Sequence, residues 1–193
     1  MRIGLISDTH IPESTDALWP QVFAAFRGVD AILHAGDVHE LFVVDQLNEI
    51  APIYVARGNG DDGSGGRVPL PQDERLKENW VVELGGVSIC MTHYVPIPEM
   101  PPNLTVTRWI DRLFDGRAPD VLIYGDTHVE AIDTIAGVLC VNPGSPTLPH
   151  NLSTQLGTIG FLEIDGKNLD ASIWQLTEDG IEPFDWENSR RPW

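Results

Sequence analysis

The chain is poor in cysteine and in positive charge, and it has no long hydrophobic run. Two cysteines, Cys90 and Cys140, exclude a disulfide-rich scaffold. Twelve Lys and Arg against 29 Asp and Glu give a net charge of −17, which excludes nonspecific binding to nucleic acids or anionic membranes. No apolar run approaches the roughly 20 residues that span a membrane, and the opening MRIGLISDTH lacks the pattern of a signal peptide. We therefore expect a cytoplasmic protein without membrane contact.

The residues that are present indicate one globular domain of the α/β class. Hydrophobic residues make up 42% of the 193 residues, and no repeat or linker divides the chain. In the first half, strands and helices are predicted to alternate, which favours βαβ units and a parallel sheet. The predicted strands are 2–7, 30–35 and 52–56, and the predicted helices are 15–27, with a break or a short first turn at Pro20, and 40–50.

The second half is predicted to be richer in strands. A Gly- and Pro-rich exposed loop is expected at 57–72, and Gly85-Gly86 predicts a hairpin between two strands. Asn103 is predicted to cap a helix over 104–115. Further strands are predicted at 120–124, 131–136, 138–142, 157–164 and 169–175.

Five predicted strands end directly in polar side chains that can hold a metal ion. In open α/β sheets the carboxyl ends of parallel strands lie along one edge, where ligands bind. Each residue alone could be an ordinary turn residue, because Asp and Asn favour such places. Five strand ends of this kind, in order along the chain, indicate one shared site. The residues are Asp8 and His10, then Asp37, Asn59, His93, and finally Asp126 with His128.

The chemistry of these side chains narrows the choice of metal ion. They offer oxygen and nitrogen donors and no thiolate, which suits Mn²⁺, Zn²⁺, Fe or Ni²⁺. Seven ligands exceed what one ion needs and suit two ions that share a carboxylate. Two ions about 3.5–4 Å apart activate a water and stabilise in-line displacement at phosphorus.

The order of the motifs is similar to that of a known family. D-x-H, G-D, G-N, a single His after a strand and G-x-T-H occur in sequence, followed by VNPGS at 141–145, Pro149 and IWQL at 173–176. The chain resembles the small bacterial and archaeal calcineurin-like metallophosphoesterases, a group that also includes a subunit of the eukaryotic retromer. The resemblance covers residues 1–177 and leaves 178–193 as a C-terminal extension of unknown role. It implies a four-layer α/β/β/α sandwich.

The resemblance also implies how the ligands are divided. It places Asp8, His10, Asp37 and His128 on a first ion, and Asp37, Asn59, His93 and Asp126 on a second, with Asp37 shared. It implies hydrolysis of a small phosphate ester by a hydroxide between the ions, more often a diester than a monoester. Mn²⁺ is the expected metal, with Zn²⁺, Fe or Ni²⁺ as alternatives.

Three positions depart from the family pattern. Asp126 stands where relatives carry a neutral His, so the second ion would have an altered ligand. Tyr94 stands where many relatives have a second His. Gly60 stands where larger members have a His that acts as general acid, which leaves water, His39 and Asp61 as candidates for that role. Asn59 and Arg57 are candidate phosphate contacts, although Arg57 is equally compatible with an exposed loop position.

These departures keep a second function open. A catalytically weak or inactive member would serve as a protein-interaction scaffold, as the retromer subunit does. Binding of two ions and turnover of a substrate would discriminate between the two. Oligomeric state is open as well, with the Pro-rich segment 94–102 and the Trp-bearing tail as candidate contact surfaces for a homo-oligomer.

Overall fold

The computed structural model describes residues 1–95 and 106–189 and contains two mixed β-sheets with short helices on their outer faces. Its helices are α1 (Pro20–Ala25), α2 (Leu41–Asn48), α3 (Asn59–Asp62), α4 (Val106–Leu113) and α5 (Trp186–Ser189), with a 3₁₀ turn at Pro149–Asn151. Its strands are β1 (Arg2–Ile6), β2 (Ala31–His34), β3 (Ile53–Ala56), β4 (Leu76–Lys77), β5 (Asn79–Leu84), β6 (Val87–Thr92), β7 (Val121–Ile123), β8 (Ala131–Ile135), β9 (Val138–Asn142), β10 (Thr158–Asp165), β11 (Asn168–Thr177) and β12 (Gly180–Pro183).

The first sheet has seven strands in the order β12-β11-β10-β1-β2-β3-β4. Strands β1 to β4 are parallel to one another, as the alternation of strands and helices predicts. Strand β10 pairs antiparallel with the other side of β1. The described part of the C-terminal extension supplies β12, which pairs antiparallel with β11 at the sheet edge.

The second sheet has five strands in the order β5-β6-β7-β9-β8. Strands β5 and β6 form the predicted hairpin, in which Leu84 faces Val87. Gly85 and Gly86 connect them with φ of 60° and 79°, the left-handed pair that a two-residue hairpin turn needs. Strands β6, β7 and β9 run parallel, so their carboxyl ends share one edge.

Three hydrophobic cores order the layers. Val22 and Leu47 of α1 and α2 pack with Ile6 on the outer face of the first sheet. A second core between the sheets contains Leu5, Leu33, Ile89 and Ile123. Ile110 and Phe114, of α4 and its C-terminal flank, pack with Cys90 and Leu122 on the outer face of the second sheet. The order is α/β/β/α, which confirms the expected fold class.

Some predicted elements differ from those in the structure. Helix α1 begins at Pro20 rather than at 15, because proline has no N–H to donate and its φ suits the first helical turn. The segment 57–72 contains α3 and buries Arg57 and Asp61, so it is only partly an exposed loop. The predicted cap at Asn103 and most of the Pro-rich segment lie outside the described residues. Within the described part of the chain, no helix is long and apolar enough to cross a membrane.

Candidate metal centre

The ends of several strands bring acidic and imidazole side chains to one place. Their ligand atoms form three overlapping groups, and within each group the atoms lie within 4.8 Å of one another. Because the groups share members, they describe one continuous cluster. The groups are Asp8, His10 and His128; Asp8, Asp37 and His93; and His10, Asp37 and His39.

Distances within the cluster match the spacing of side chains around a metal ion. The Nε2 atom of His10 lies 3.4 Å from Oδ2 of Asp37, and Nε2 of His93 lies 3.6 Å from the same oxygen. On the other side, Nε2 of His128 lies 3.6 Å from Oδ1 of Asp8. Oδ2 of Asp37 therefore lies near two imidazoles, which is the place expected for a shared carboxylate.

The outer nitrogens of the histidines are already paired, which fixes the direction of the inner ones. Nδ1 of His93 lies 2.8 Å from the Ala35 carbonyl oxygen, and Nδ1 of His128 lies 2.7 Å from that of Leu148. Both Nδ1 atoms therefore donate, and the Nε2 lone pairs face the carboxylates, the usual arrangement of metal-bound histidines. Nε2 of His10 and of His93 is buried without a hydrogen-bond partner among the described residues. These donors fit a divalent metal ion.

The backbone at the ligands is in an uncommon conformation. A positive φ is rare for residues other than glycine, and it persists where the surrounding structure enforces it. Backbone hydrogen bonds enforce it here: Asp8 N–H donates to the Gly36 carbonyl at 2.8 Å, and His10 N–H donates to that of Asp37 at 3.0 Å. The left-handed residues of the cluster are Asp8 (55°), His10 (47°), Asp37 (53°), His39 (72°) and His128 (57°), and the neighbouring Asp126 (72°) shares this conformation.

Two motif residues outside the cluster support it. The hydroxyl of Ser145, in the VNPGS segment, donates to the backbone carbonyl of Asp8 at 2.7 Å. Gly58 packs so closely on Asp37 that a Cβ there would lie 2.1 Å from its Oδ1. These contacts explain why a serine and a glycine accompany the ligands in the motifs.

The cluster shifts the protonation of its members in the metal-free protein. Burial raises the pKa of Asp8, but His10, His93 and His128 outweigh it and bring the pKa down to about 2. Burial lowers the pKa of His93, but the charges of Asp8 and Asp37 outweigh it, so the pKa is raised. Burial raises the pKa of Asp126, and Asp8 and Asp37 raise it further against the opposing effect of His93. The site thus holds anionic oxygens next to imidazoles and favours divalent cations.

Asp126 and Asn59, the two remaining expected ligands, belong to none of the three ligand groups of the described residues. Oδ1 of Asp126 lies 3.6 Å from Nε2 of His93, so Asp126 borders the cluster. Its backbone N–H donates to both carboxylate oxygens of Asp8 at 3.2 Å. Asn59 is the first residue of α3 and directly follows Gly58. Ligation by either side chain stays a prediction.

Asp61 and His39, the two side chains considered as general acid, have different environments. Asp61 is fully buried, and its carboxylate accepts backbone N–H groups from Val38, His39 and Gly58 at 2.8–3.3 Å. All three contacts use it as an acceptor, which ties the segment after β2 to the segment after β3. His39 instead belongs to the cluster. Its pKa is lowered, mainly by burial and to a smaller extent by the charge of His10.

The side chain of Arg57 is buried against the segment 57–72. Its guanidinium donates to the backbone carbonyls of Asp61, Leu70 and Pro71 at 3.2, 2.9 and 2.5 Å, and the residue is 5% exposed. This placement favours a role in holding the loop. The expected contact between Arg57 and phosphate stays a prediction.

One residue beside the cluster, Glu13, could not be predicted from the sequence. Oε2 of Glu13 lies 2.8 Å from Nδ1 of His39, and Glu13 is also paired with Arg67. Glu13 lies in the loop between β1 and α1, and no motif or periodic pattern marks it. Only the folded chain shows that it reaches the cluster.

Comparisons with known proteins identify the family to which this chain is similar. The calcineurin-like phosphoesterase superfamily domain matches residues 1–167. A probable metallophosphoesterase of Methanothermobacter thermautotrophicus is 34% identical over 173 residues, which cover 90% of this chain and 91% of that protein. A phosphodiesterase of Methanocaldococcus jannaschii is 28% identical over 179 residues, which cover 86% and 95%.

The fold is also found among solved structures. Vacuolar Protein Sorting 29 from Cryptosporidium parvum superimposes with a TM-score of 0.71, covering 94% of each chain. The two sequences are 21% identical, so this likeness concerns the fold alone.

Proposed function

The chain belongs to the calcineurin-like phosphoesterase superfamily, and we propose that it uses two divalent metal ions, Mn²⁺ by preference, to hydrolyse phosphodiesters. The observation that carries this proposal is the direction of the imidazoles. Nε2 of His10 and of His93 is buried without a described hydrogen-bond partner and lies 3.4 and 3.6 Å from Oδ2 of Asp37. A metal ion supplies the partner that these nitrogens lack.

The donor set suits two ions. Asp8, His10 and His128 form one group, whereas Asp8, Asp37 and His93 form another. Asp37 lies near both His10 and His93, so its carboxylate suits two neighbouring ions. We assign Asn59 and Asp126 as the remaining ligands of the second ion, next to His93.

In the reaction, the chain's own residues hold and orient the reactants. Bound divalent ions supply an activated water and positive charge for the oxygens of the phosphorus centre. Asp37 and the histidines fix the positions at which that charge is available, and the carbonyls of Ala35 and Leu148 hold His93 and His128 in direction. We retain Asn59 as the candidate contact to a phosphate oxygen.

The preference for a diester follows from charge. Asp126 adds a carboxylate where relatives have a neutral His, so the loaded site carries less net positive charge. A diester has one negative charge and a monoester up to two, and the weaker field favours the diester. A relative from M. jannaschii is named a phosphodiesterase, which supports the proposed preference for a diester.

Metal-dependent turnover of two chromogenic esters tests the proposal. We expect bis(p-nitrophenyl) phosphate to be hydrolysed with a higher kcat/KM than p-nitrophenyl phosphate, and Mn²⁺ to support higher rates than Zn²⁺, Ni²⁺ or Fe²⁺. A chelator should abolish both activities. Faster turnover of the monoester, or of either ester in the presence of the chelator, would contradict the proposal.

The scaffold function is less supported. The likeness to Vacuolar Protein Sorting 29 concerns the fold, whereas the acidic and imidazole groups of this chain are assembled within 4.8 Å of one another. Cytoplasmic location and a homo-oligomeric state stay predictions from the sequence.

A further inference from the structure

His39 has the features of a metal ligand although no family motif includes it. It follows Asp37 by two positions and is 6% exposed. Its Nε2 atom is buried without a hydrogen-bond partner among the described residues. The same side chain lies within 4.8 Å of ligand atoms of His10 and Asp37.

The other ring nitrogen of His39 shows which atom carries the lone pair. Nδ1 lies 2.8 Å from Oε2 of Glu13. An ionised carboxylate accepts but cannot donate, so Nδ1 carries the proton and Nε2 of the neutral imidazole carries the lone pair. Glu13 is itself held by an ion pair with Arg67. The lone pair therefore has a fixed direction, as in metal-bound histidines backed by a carboxylate.

The chain makes space for this imidazole at Gly60. A Cβ on Gly60 would lie 2.1 Å from Nε2 of His39 and 3.1 Å from Oδ1 of Asp37. Any larger residue at position 60 would therefore displace His39 from Asp37. The absence of a side chain at position 60 and the presence of an imidazole at 39 belong to the same local arrangement.

We propose that Nε2 of His39 is a further ligand of the ion held by His10 and Asp37, and that Glu13 orients it. This inference rests on the binuclear site proposed above and adds a neutral nitrogen donor to it. A neutral imidazole adds one metal–ligand bond and leaves the net charge of the site unchanged. A further carboxylate would instead add a negative charge to a site that Asp126 already makes more negative.

Direct metal binding by the full chain tests this assignment. Mn²⁺ binding is measured by isothermal titration calorimetry and by metal content after dialysis, for the wild type and for His39→Ala. We expect one of two binding events to weaken by about 10–100-fold, the size of effect known for groups that hold or orient metal ligands. The visible spectrum of the Co²⁺-loaded protein should change in intensity as well, because a nitrogen donor is lost.

A matched histidine serves as the control. Nε2 of His150 lies 2.9 Å from Oε2 of Glu130, so His150 is also paired with a carboxylate. It belongs to none of the three ligand groups of the described residues. His150→Gln should leave Mn²⁺ affinity and the Co²⁺ spectrum unchanged.

Two further variants keep the test independent of the fate of His39→Ala. Gly60→Ala should weaken the same binding event by pushing His39 away, and Glu13→Gln should weaken it by a smaller factor. In the His39→Ala background, Gly60→Ala should cause a smaller loss than it causes in the wild type, because only the 3.1 Å approach of the Cβ to Oδ1 of Asp37 remains. If the wild type binds two ions and all three single variants bind them with unchanged affinity, this inference is wrong and the proposed function stands. If the wild type binds no ion, both are overturned.

Discussion

Nε2 of His93 lies 3.6 Å from Oδ1 of Asp126, so the Asp126 carboxylate borders the cluster of acidic and imidazole groups. The side chain of Asp126 is 44% exposed, whereas that of His93 is fully buried. Its carboxylate therefore adds negative charge at a solvent-accessible border of the cluster. This relationship makes Asp126 the residue most suited to adjust the charge that substrate meets.

Replacing Asp126 by His should raise activity. The change removes one negative charge from the site, so an anionic ester is attracted more strongly and we expect kcat/KM to increase about 10-fold. The measurement is hydrolysis of bis(p-nitrophenyl) phosphate with saturating Mn²⁺. Asp126→Asn is the matched control, because it removes the charge without adding an imidazole. An unchanged or lower value for Asp126→His with intact metal content would refute the charge argument.

The lowered pKa of Asp8 predicts a pH-dependent stability of the metal-free protein. The folded pKa is about 2 against an ordinary value of 3.8, so ionised Asp8 contributes roughly 2 kcal/mol above the unfolded pKa. That contribution is lost as pH falls through the folded pKa. Urea unfolding in the presence of a chelator should show Asp8→Asn less stable at pH 7, with the difference narrowing from about pH 4 toward pH 2. A difference that stays constant over this range would disprove the origin we assign.

Gly58→Ala should weaken metal binding without removing a ligand. The added Cβ would lie 2.1 Å from Oδ1 of Asp37, which must move. We expect Mn²⁺ affinity to fall about 10-fold or more. Gly28→Ala is the control, since Gly28 has a φ of 81° and open space around it. It should cost roughly 1 kcal/mol of stability and leave Mn²⁺ affinity unchanged.

Arg57→Ala distinguishes a loop contact from a substrate contact. The guanidinium donates to three backbone carbonyls, so its loss should destabilise the protein by about 2 kcal/mol. Thermal unfolding measures this cost, and steady-state kinetics measure KM. The loop contacts predict little change in KM. A large rise in KM with normal stability would instead establish Arg57 as a substrate residue.

The strand ends were predictable because hydrophobic periodicity ends where the polar residues begin. Asp8, Asp37 and His93 each follow a short apolar run, and a parallel sheet brings such ends together. The hairpin at Gly85-Gly86 was predictable for a similar reason, since two glycines accept the left-handed conformation.

Contacts made by loops were not predictable. Glu13 and His39 are 26 positions apart, and only the packing of two irregular segments places them 2.8 Å from each other. The Gly- and Pro-rich composition of 57–72 indicates an exposed loop. Arg57 is nevertheless buried, because its guanidinium donates hydrogen bonds to the backbone carbonyls of Leu70 and Pro71 in that loop. Composition reports on solvent preference and carries no information about such long-range hydrogen bonds.

The proposed binuclear site depends most directly on Asp37, whose Oδ2 atom lies 3.4 Å from Nε2 of His10 and 3.6 Å from Nε2 of His93. The decisive measurement determines bound Mn²⁺ per chain and turnover of bis(p-nitrophenyl) phosphate in the same samples of wild type and Asp37→Asn. We predict two ions and turnover in the wild type, and reduced metal content without turnover in a folded Asp37→Asn protein. Equal turnover in the two proteins, or turnover by metal-free wild type, would contradict the binuclear site.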